Sequence, residues 1–219
     1  MSTVSRFFPR FDDLPLTLPV FPLENIIVMP GAELQLSIFE NRYLNMVTDV
    51  LKTHHMFGMV QPDATKKGDP QSLYLTGCAG RITAYSETAD GRILLTLTGV
   101  IRFDISEELA ATRGYRVIVP DWSRYASDLN QQVESDIRDR SRLTSALGRY
   151  FRNRNMEPDW EGLERIPVAQ LVNTMATLLP IGTAEKQAIL EAQELAMREQ
   201  IFVAALEMSL QEESGAPRH

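Results

Sequence analysis

Cysteine is nearly absent from this chain. Cys78 stands alone in 219 residues, which rules out an internal disulfide and fits a reducing compartment. Histidine is scarce too, at three residues with His219 the last of the chain, and so small a set of soft ligands argues against zinc. Neither a metal nor a cofactor is expected. No apolar run approaches the roughly 18–20 residues of a membrane span. Met1 to Phe11 carries Arg6 and Arg10 but no apolar signal core and no small-residue cleavage site. Positive charge is in deficit: 22 Lys+Arg against 29 Asp+Glu give a net −7, which disfavours general attraction to nucleic acid or anionic membrane. The phosphate-cradling loop G-x-x-x-x-G-K-[ST] does not occur, and Lys52-Thr53 has no glycine loop before it. What remains is the composition of an ordinary soluble globular protein, 44% hydrophobic and 23% charged, expected in the cytoplasm.

From Leu14 to about Trp122 the rhythm is β. Leu18-Pro19-Val20-Phe21-Pro22-Leu23 is cut by prolines into short extended pieces, and Pro30-Gly31 is a turn signal. Leu34, Leu36 and Ile38 alternate with Gln35 and Ser37, the period of a half-buried strand. A helix-like run follows from Tyr43 to Leu51. Tyr74 to Tyr85 and Arg92 to Thr98 read as strands joined through Asp90-Gly91, a tight-hairpin signal. Ile93, Leu95 and Leu97 take one face; Leu94, Thr96 and Thr98 take the other. Gly99 to Ile105 and Tyr115 to Val119 supply two more strands, with Ser106 to Arg113 expected as a polar turn or one helical loop. Six or so short strands with an early helix suggest a small, curled, barrel-like sheet.

The period then lengthens to 3.6. Leu129, Val133, Ile137, Leu143, Leu147 and Phe151 form one apolar arc of a helix beginning near Asp128. Asn153 to Glu157 with Pro158 breaks it. Val168 to Leu179 and Ala184 to Leu210 supply further helices, the last with a break near Gln193. The expected class is therefore α+β: a β-rich module over 14–125, a helical module over 126–211, and flexible ends at 1–13 and 212–219.

Several short motifs stand in one order: Leu18-Pro19-Val20-Phe21-Pro22-Leu23, Pro30-Gly31, Ile38-Phe39-Glu40-Asn41-Arg42-Tyr43, Phe57-Gly58, Asp90-Gly91-Arg92, Gly99 with Arg102-Phe103, Tyr115, and Leu179-Pro180 before Glu185-Lys186-Gln187-Ala188-Ile189-Leu190-Glu191. Taken together they resemble the N-terminal substrate-binding domain of Lon-type ATP-dependent proteases over about residues 15 to 210. The resemblance implies a PUA-like β-barrel followed by a helical bundle. It also implies a protein that binds unfolded or partly unfolded polypeptide, or a protein partner, acting as an adaptor or accessory factor in protein quality control. The family's ATPase and Ser-Lys peptidase have no counterpart in these residues, so a stand-alone, non-catalytic protein is expected.

Catalytic residues are not expected either. His54 and His55 are adjacent and would point in different directions on a helix. Cys78 reads as a small buried hydrophobe, and Gly77-x-x-Gly80 as a strand bulge. Arg138, Arg142, Arg149 and Arg152 share one helical face, with Arg140 and Arg154 close by. That is the footprint of an alternative, an RNA- or nucleotide-binding PUA-like module. Against it, Glu134 and Asp136 stand four residues before Arg138 and Arg140, and residues 156–219 hold eleven Asp/Glu to four Lys/Arg, a local excess that the arginines complement. The binding candidates are Phe39, Glu40, Arg42 and Tyr43. They read either as a packed strand-to-helix corner, with Glu40 and Arg42 paired, or as part of a groove or sheet edge for an extended polypeptide.

Overall fold

Strand β5 (Ile93–Leu109) organises the sheet because it is long enough to change partners along its length. In a computed structural model of the chain, residues 9–67, 71–111, 113–130 and 140–215 are described, with side chains to residue 211. Before β5 come β1 (Leu18–Pro22), β2 (Glu33–Ile38), α1 (Asn41–Val50), β3 (Met56–Val60) and β4 (Thr76–Glu87); β6 (Arg116–Asp121) follows. The first half of β5 lies between β2 and the end of β4, whereas its second half pairs with the start of β4 and with β6. β4 pairs with β3, β3 runs parallel to β1, and β1 pairs with β6. The circuit β5-β4-β3-β1-β6-β5 closes, and β2 lies outside it on the arm formed by β5 and β4. The sheet is thus curled back on itself through the β5–β6 pairing.

Two segments depart from expectation. Arg92–Thr98 and Gly99–Ile105 belong to one strand, and Ser106 is no turn: β5 continues to Leu109, bulging between Ile105 and Glu107 where it meets β6. Its acidic residues face solvent, and Arg116 pairs with Glu108 at 2.5 Å. That is why so polar a stretch can remain a strand. A second register shift lies between Ala79 and Gly80, the bulge expected there. Gly99 is required by proximity, since a Cβ would stand 2.1 Å from the Met29 carbonyl oxygen.

The helical half contains α2 (Ser141–Asn153), α3 (Trp160–Arg165), α4 (Val168–Leu178), α5 (Thr183–Glu191) and α6 (Leu195–Gly215). Asp128 does not begin a helix of this set but lies in a 3-10 segment, Ser123–Leu129. Val133 and Ile137 lie outside the described residues. The apolar arc of α2 is as expected: Leu143, Leu147 and Phe151 are buried. Helix α3 was not expected; the Asp159 carboxylate accepts the Gly162 amide at 3.0 Å and caps it. Pro180 follows α4, and α5 and α6 part between Glu191 and Leu195, around Gln193. Residues 11–13 form a 3-10 turn, and α6 stays helical past Glu212 to Gly215.

One core joins the halves. Phe21, Leu36, Ile38, Met46 and Phe57 cluster with Leu147, Leu171, Val172 and Phe202. A second cluster, with Leu18, Val20, Ile101, Phe103, Ile118, Trp122 and Tyr125, fills the ring.

Candidate functional site

The strict alternation of β2 turns Leu34, Leu36 and Ile38 inward and Gln35 and Ser37 outward. The same alternation carries Phe39 outward, where it is 62% exposed. Glu40 remains extended at the N-cap of α1. Its carboxylate accepts from Arg42 Nε at 2.9 Å, and both side chains are about half exposed, so the pair contributes about 1 kcal/mol or less. The Arg42 guanidinium also lies 4.6 Å above the Tyr43 ring. Tyr43 itself is 6% exposed and packs 4.2 Å from Phe21, and burial raises its phenol pKa. Of the four candidates, then, Phe39 faces solvent, Glu40 and Arg42 form an exposed pair, and Tyr43 anchors the corner in the core.

Across from Phe39 is the turn between β4 and β5. Gly91 takes φ +78° there, and its amide donates to the Thr88 carbonyl at 2.9 Å. Arg92 pairs with Asp90 at 2.8 Å and lies 5.7 Å from the Phe39 ring. Next along β5, Leu94 stands between Ser37 of β2 and Ser86 of β4, and Thr96 between Gln35 and Ala84. These six residues border a shallow hollow of about 560 Å³ that contains no charged side chain. Leu94 is 46% exposed, and Tyr85 at its rim is 61% exposed. Sequence reasoning put Leu94 on the face opposite Ile93, Leu95 and Leu97 but did not single it out. The available signal was an outward leucine two residues from a hairpin turn.

The remaining candidates find structural roles. Cys78 is fully buried, and burial pushes its thiol pKa up, away from the thiolate a nucleophile needs. His54 Nδ1 accepts the Met56 amide at 3.1 Å, and burial lowers its pKa. Arg140 donates to the carbonyls of Leu163, Glu164 and Ile166 at 2.9–3.2 Å, tying α2 to the end of α3. Arg149 pairs with Glu207 of α6 at 2.7 Å, and Arg154 lies 3.8 Å over the Tyr150 ring. Arg142 and Arg152 are exposed, while Arg138, Glu134 and Asp136 lie outside the described residues.

Buried polar contacts, most of them unforeseen, dock the helices on the ring. Arg102 of β5 holds Asp128 and the carbonyls of Leu190 and Ala192. Gln187 Nε2 donates to the Thr76 carbonyl at 3.2 Å, Asn173 Nδ2 to the Pro30 carbonyl at 2.9 Å, and Lys186 Nζ to the Asn25 carbonyl at 3.1 Å. An arginine within an apolar strand was the readable sign of such a network.

A family model described as the ATP-dependent protease La (LON) substrate-binding domain matches residues 17–206. The chain belongs to that family. Among curated relatives of this Lon substrate-binding-domain protein, Lon protease 2 of Myxococcus xanthus is 23% identical over 209 residues, covering 89% of this chain and 24% of the relative. The Lon protease of Parabacteroides distasonis is 26% identical over 186 residues, covering 80% of this chain and 22% of the relative. The chain thus spans about a quarter of the length of these relatives. Among solved structures, a Lon N-terminal domain protein from Xanthomonas campestris has a TM-score of 0.60 at 23% identity, covering 86% of this chain and 97% of its own. The N-terminal domain of a Mycobacterium avium complex Lon protease has a TM-score of 0.58 at 13% identity, covering 87% and 98%. The fold is therefore that of Lon N-terminal domains. Among the described residues, no helix is long and apolar enough to cross a membrane.

Proposed function

We propose that this protein binds unfolded polypeptide on the outer face of the β2–β5–β4 arm, without catalysing a reaction, and serves as an adaptor or accessory factor in protein quality control. One observation carries the reading: Phe39, one residue past the end of β2, and Leu94 of β5 are both large and exposed, and Leu94 stands on a sheet face floored by serine, threonine, glutamine and alanine. Apolar anchors set among uncharged hydrogen-bonding groups suit a chain whose sequence varies but whose exposed side chains are apolar. Glu40 and Arg42 form the polar rim, and Tyr43 holds the corner rigid from beneath. Membership of the substrate-binding-domain family supports the same reading. The test is titration with a reduced, permanently unfolded polypeptide, comparing the parent protein with Phe39→Ala and Leu94→Asp. Weaker binding by both, with circular dichroism unchanged, is expected; full binding by both variants removes this face from consideration.

A further inference from the structure

Strand β2 has a second hydrogen-bonding side that no strand of the described chain takes, although α4 packs against its inner face. Antiparallel pairing directs the N–H and C=O groups of alternate residues at the neighbouring strand and the rest the opposite way. Among the described residues β2 pairs with β5 and with no other strand, and no other backbone or side-chain group bonds to its amides or carbonyls. Exposed edges are ordinarily blunted by lysine, proline or a bulge, because a bare row of donors and acceptors templates another strand. Here the edge reads Glu-Leu-Gln-Leu-Ser-Ile, with neither lysine nor proline, and its register with β5 runs unbroken from Glu33↔Thr98 to Ile38↔Ile93. The one charge is Glu33, at the end away from Phe39.

We infer that β2 is a strand-addition site, and that the occupant is an extended segment of another polypeptide, about six residues long, hydrogen-bonded to β2 through its backbone. Six residues of strand span about 20 Å, the length over which β2 presents unpaired groups. Only a polypeptide in extended form supplies donors and acceptors at that spacing, so the occupant is a strand and not a helix or a folded surface. Its side chains alternate. One set lies beside the outer face, which is uncharged from Gln35 on and has Phe39 at its end, and the other continues the apolar inner face begun by Leu34, Leu36 and Ile38. Backbone pairing makes recognition tolerant of sequence, and the alternation favours β-prone segments without proline. This inference rests on the polypeptide-binding reading above and adds its mode.

The test uses the full chain and a capped octapeptide alternating threonine with valine, flanked by lysines to suit the net charge of −7. Two further peptides carry N-methyl groups on alternate residues, one in each of the two possible sets. An added strand turns one edge to β2, so one methylated set should lose about tenfold or more in affinity while the other binds like the parent. Amides of β2 should also gain protection from hydrogen exchange when the parent peptide binds. Equal binding of all three peptides, with no new protection in β2, overturns strand addition and leaves apolar polypeptide binding standing. Failure of the parent peptide and of unfolded protein alike to bind defeats both readings. A protein that is dimeric in solution, with β2 amides protected before any peptide is added, shows the edge taken by a second copy and overturns the proposed occupant.

Discussion

Arg102 and Asp128 meet as a buried, two-pronged pair: Nε donates to one carboxylate oxygen at 2.9 Å and a terminal nitrogen to the other at 2.7 Å. The remaining donors of the guanidinium reach the carbonyls at the end of α5, so one side chain ties the ring, the 3-10 segment and the helical half together. Removing one member leaves the other charged and buried, which costs about 3–5 kcal/mol. Arg102→Met and Asp128→Leu should each lower the urea midpoint sharply, and the double variant should recover much of the loss. A double variant no better than the worse single one would show that the pair does not act as a unit.

The shared core makes a second expectation. The chain has two tryptophans, Trp122 packed against the ring core and Trp160 against Phe151 of α2, so each half has its own reporter. Because Phe21 and Met46 share one cluster with Leu147 and Phe202, unfolding either half exposes the other's apolar surface. Trp122→Phe and Trp160→Phe variants should each show fluorescence and far-UV dichroism transitions that coincide in urea. Separate midpoints would instead support a division at 125/126 into independently folding modules.

Lys186 is 3% exposed, and burial lowers its pKa to about 8 from an ordinary 10.5. Below about pH 8 the folded chain carries a buried ammonium at full cost. From there to about pH 10.5 the unfolded chain holds more protons than the folded one, so this residue's contribution to stability rises with pH. Lys186→Met should therefore be the more stable form at pH 7, by less than the full cost of burying the ammonium because the Asn25 carbonyl loses its donor. Its advantage should shrink as pH rises toward 10.5. A difference between the two proteins that is flat from neutral to alkaline pH would sink this account.

Much of the architecture could be read locally. Alternation placed β2, Asp90-Gly91 placed the β4–β5 turn, and Pro180 and Gln193 marked the helix ends, because in each case the deciding interactions lie within a few residues. The continuation of β5 through Glu107 and Glu108 could not be read that way: its cause is pairing with β6, which no local period reports. Asp128 stood at the start of the apolar arc that opens with Leu129, whereas its partner Arg102 is 26 residues away. At the candidate site, the segment Phe39–Tyr43 was visible as a unit. The outward turn of Phe39 continues the alternation of β2, but the burial of Tyr43 was not visible, since that depends on Phe21 filling the space beside it.

Binding at the arm should depend on apolar contact more than on charge. The outer face has no charged floor, and Arg42 and Arg92 are already paired with Glu40 and Asp90. A short site of this kind gives micromolar affinity or weaker, about −8 kcal/mol or less in magnitude. Phe39→Ala removes part of a side chain whose full burial is worth roughly 1.5–3 kcal/mol, so a loss of about fivefold is expected. Raising salt from about 50 to 200 mM screens exposed charges and should leave the affinity for unfolded polypeptide nearly unchanged. The triple variant Arg142→Ala, Arg149→Ala, Arg152→Ala should bind polypeptide like the parent, because those residues lie on α2 and not on the arm. A structured RNA measured alongside separates the alternative: binding through counterion release would fall steeply over the same salt range. Tight RNA binding that the triple variant abolishes, with polypeptide binding weak and indifferent to Phe39, would move the functional surface from the sheet arm to the arginine face.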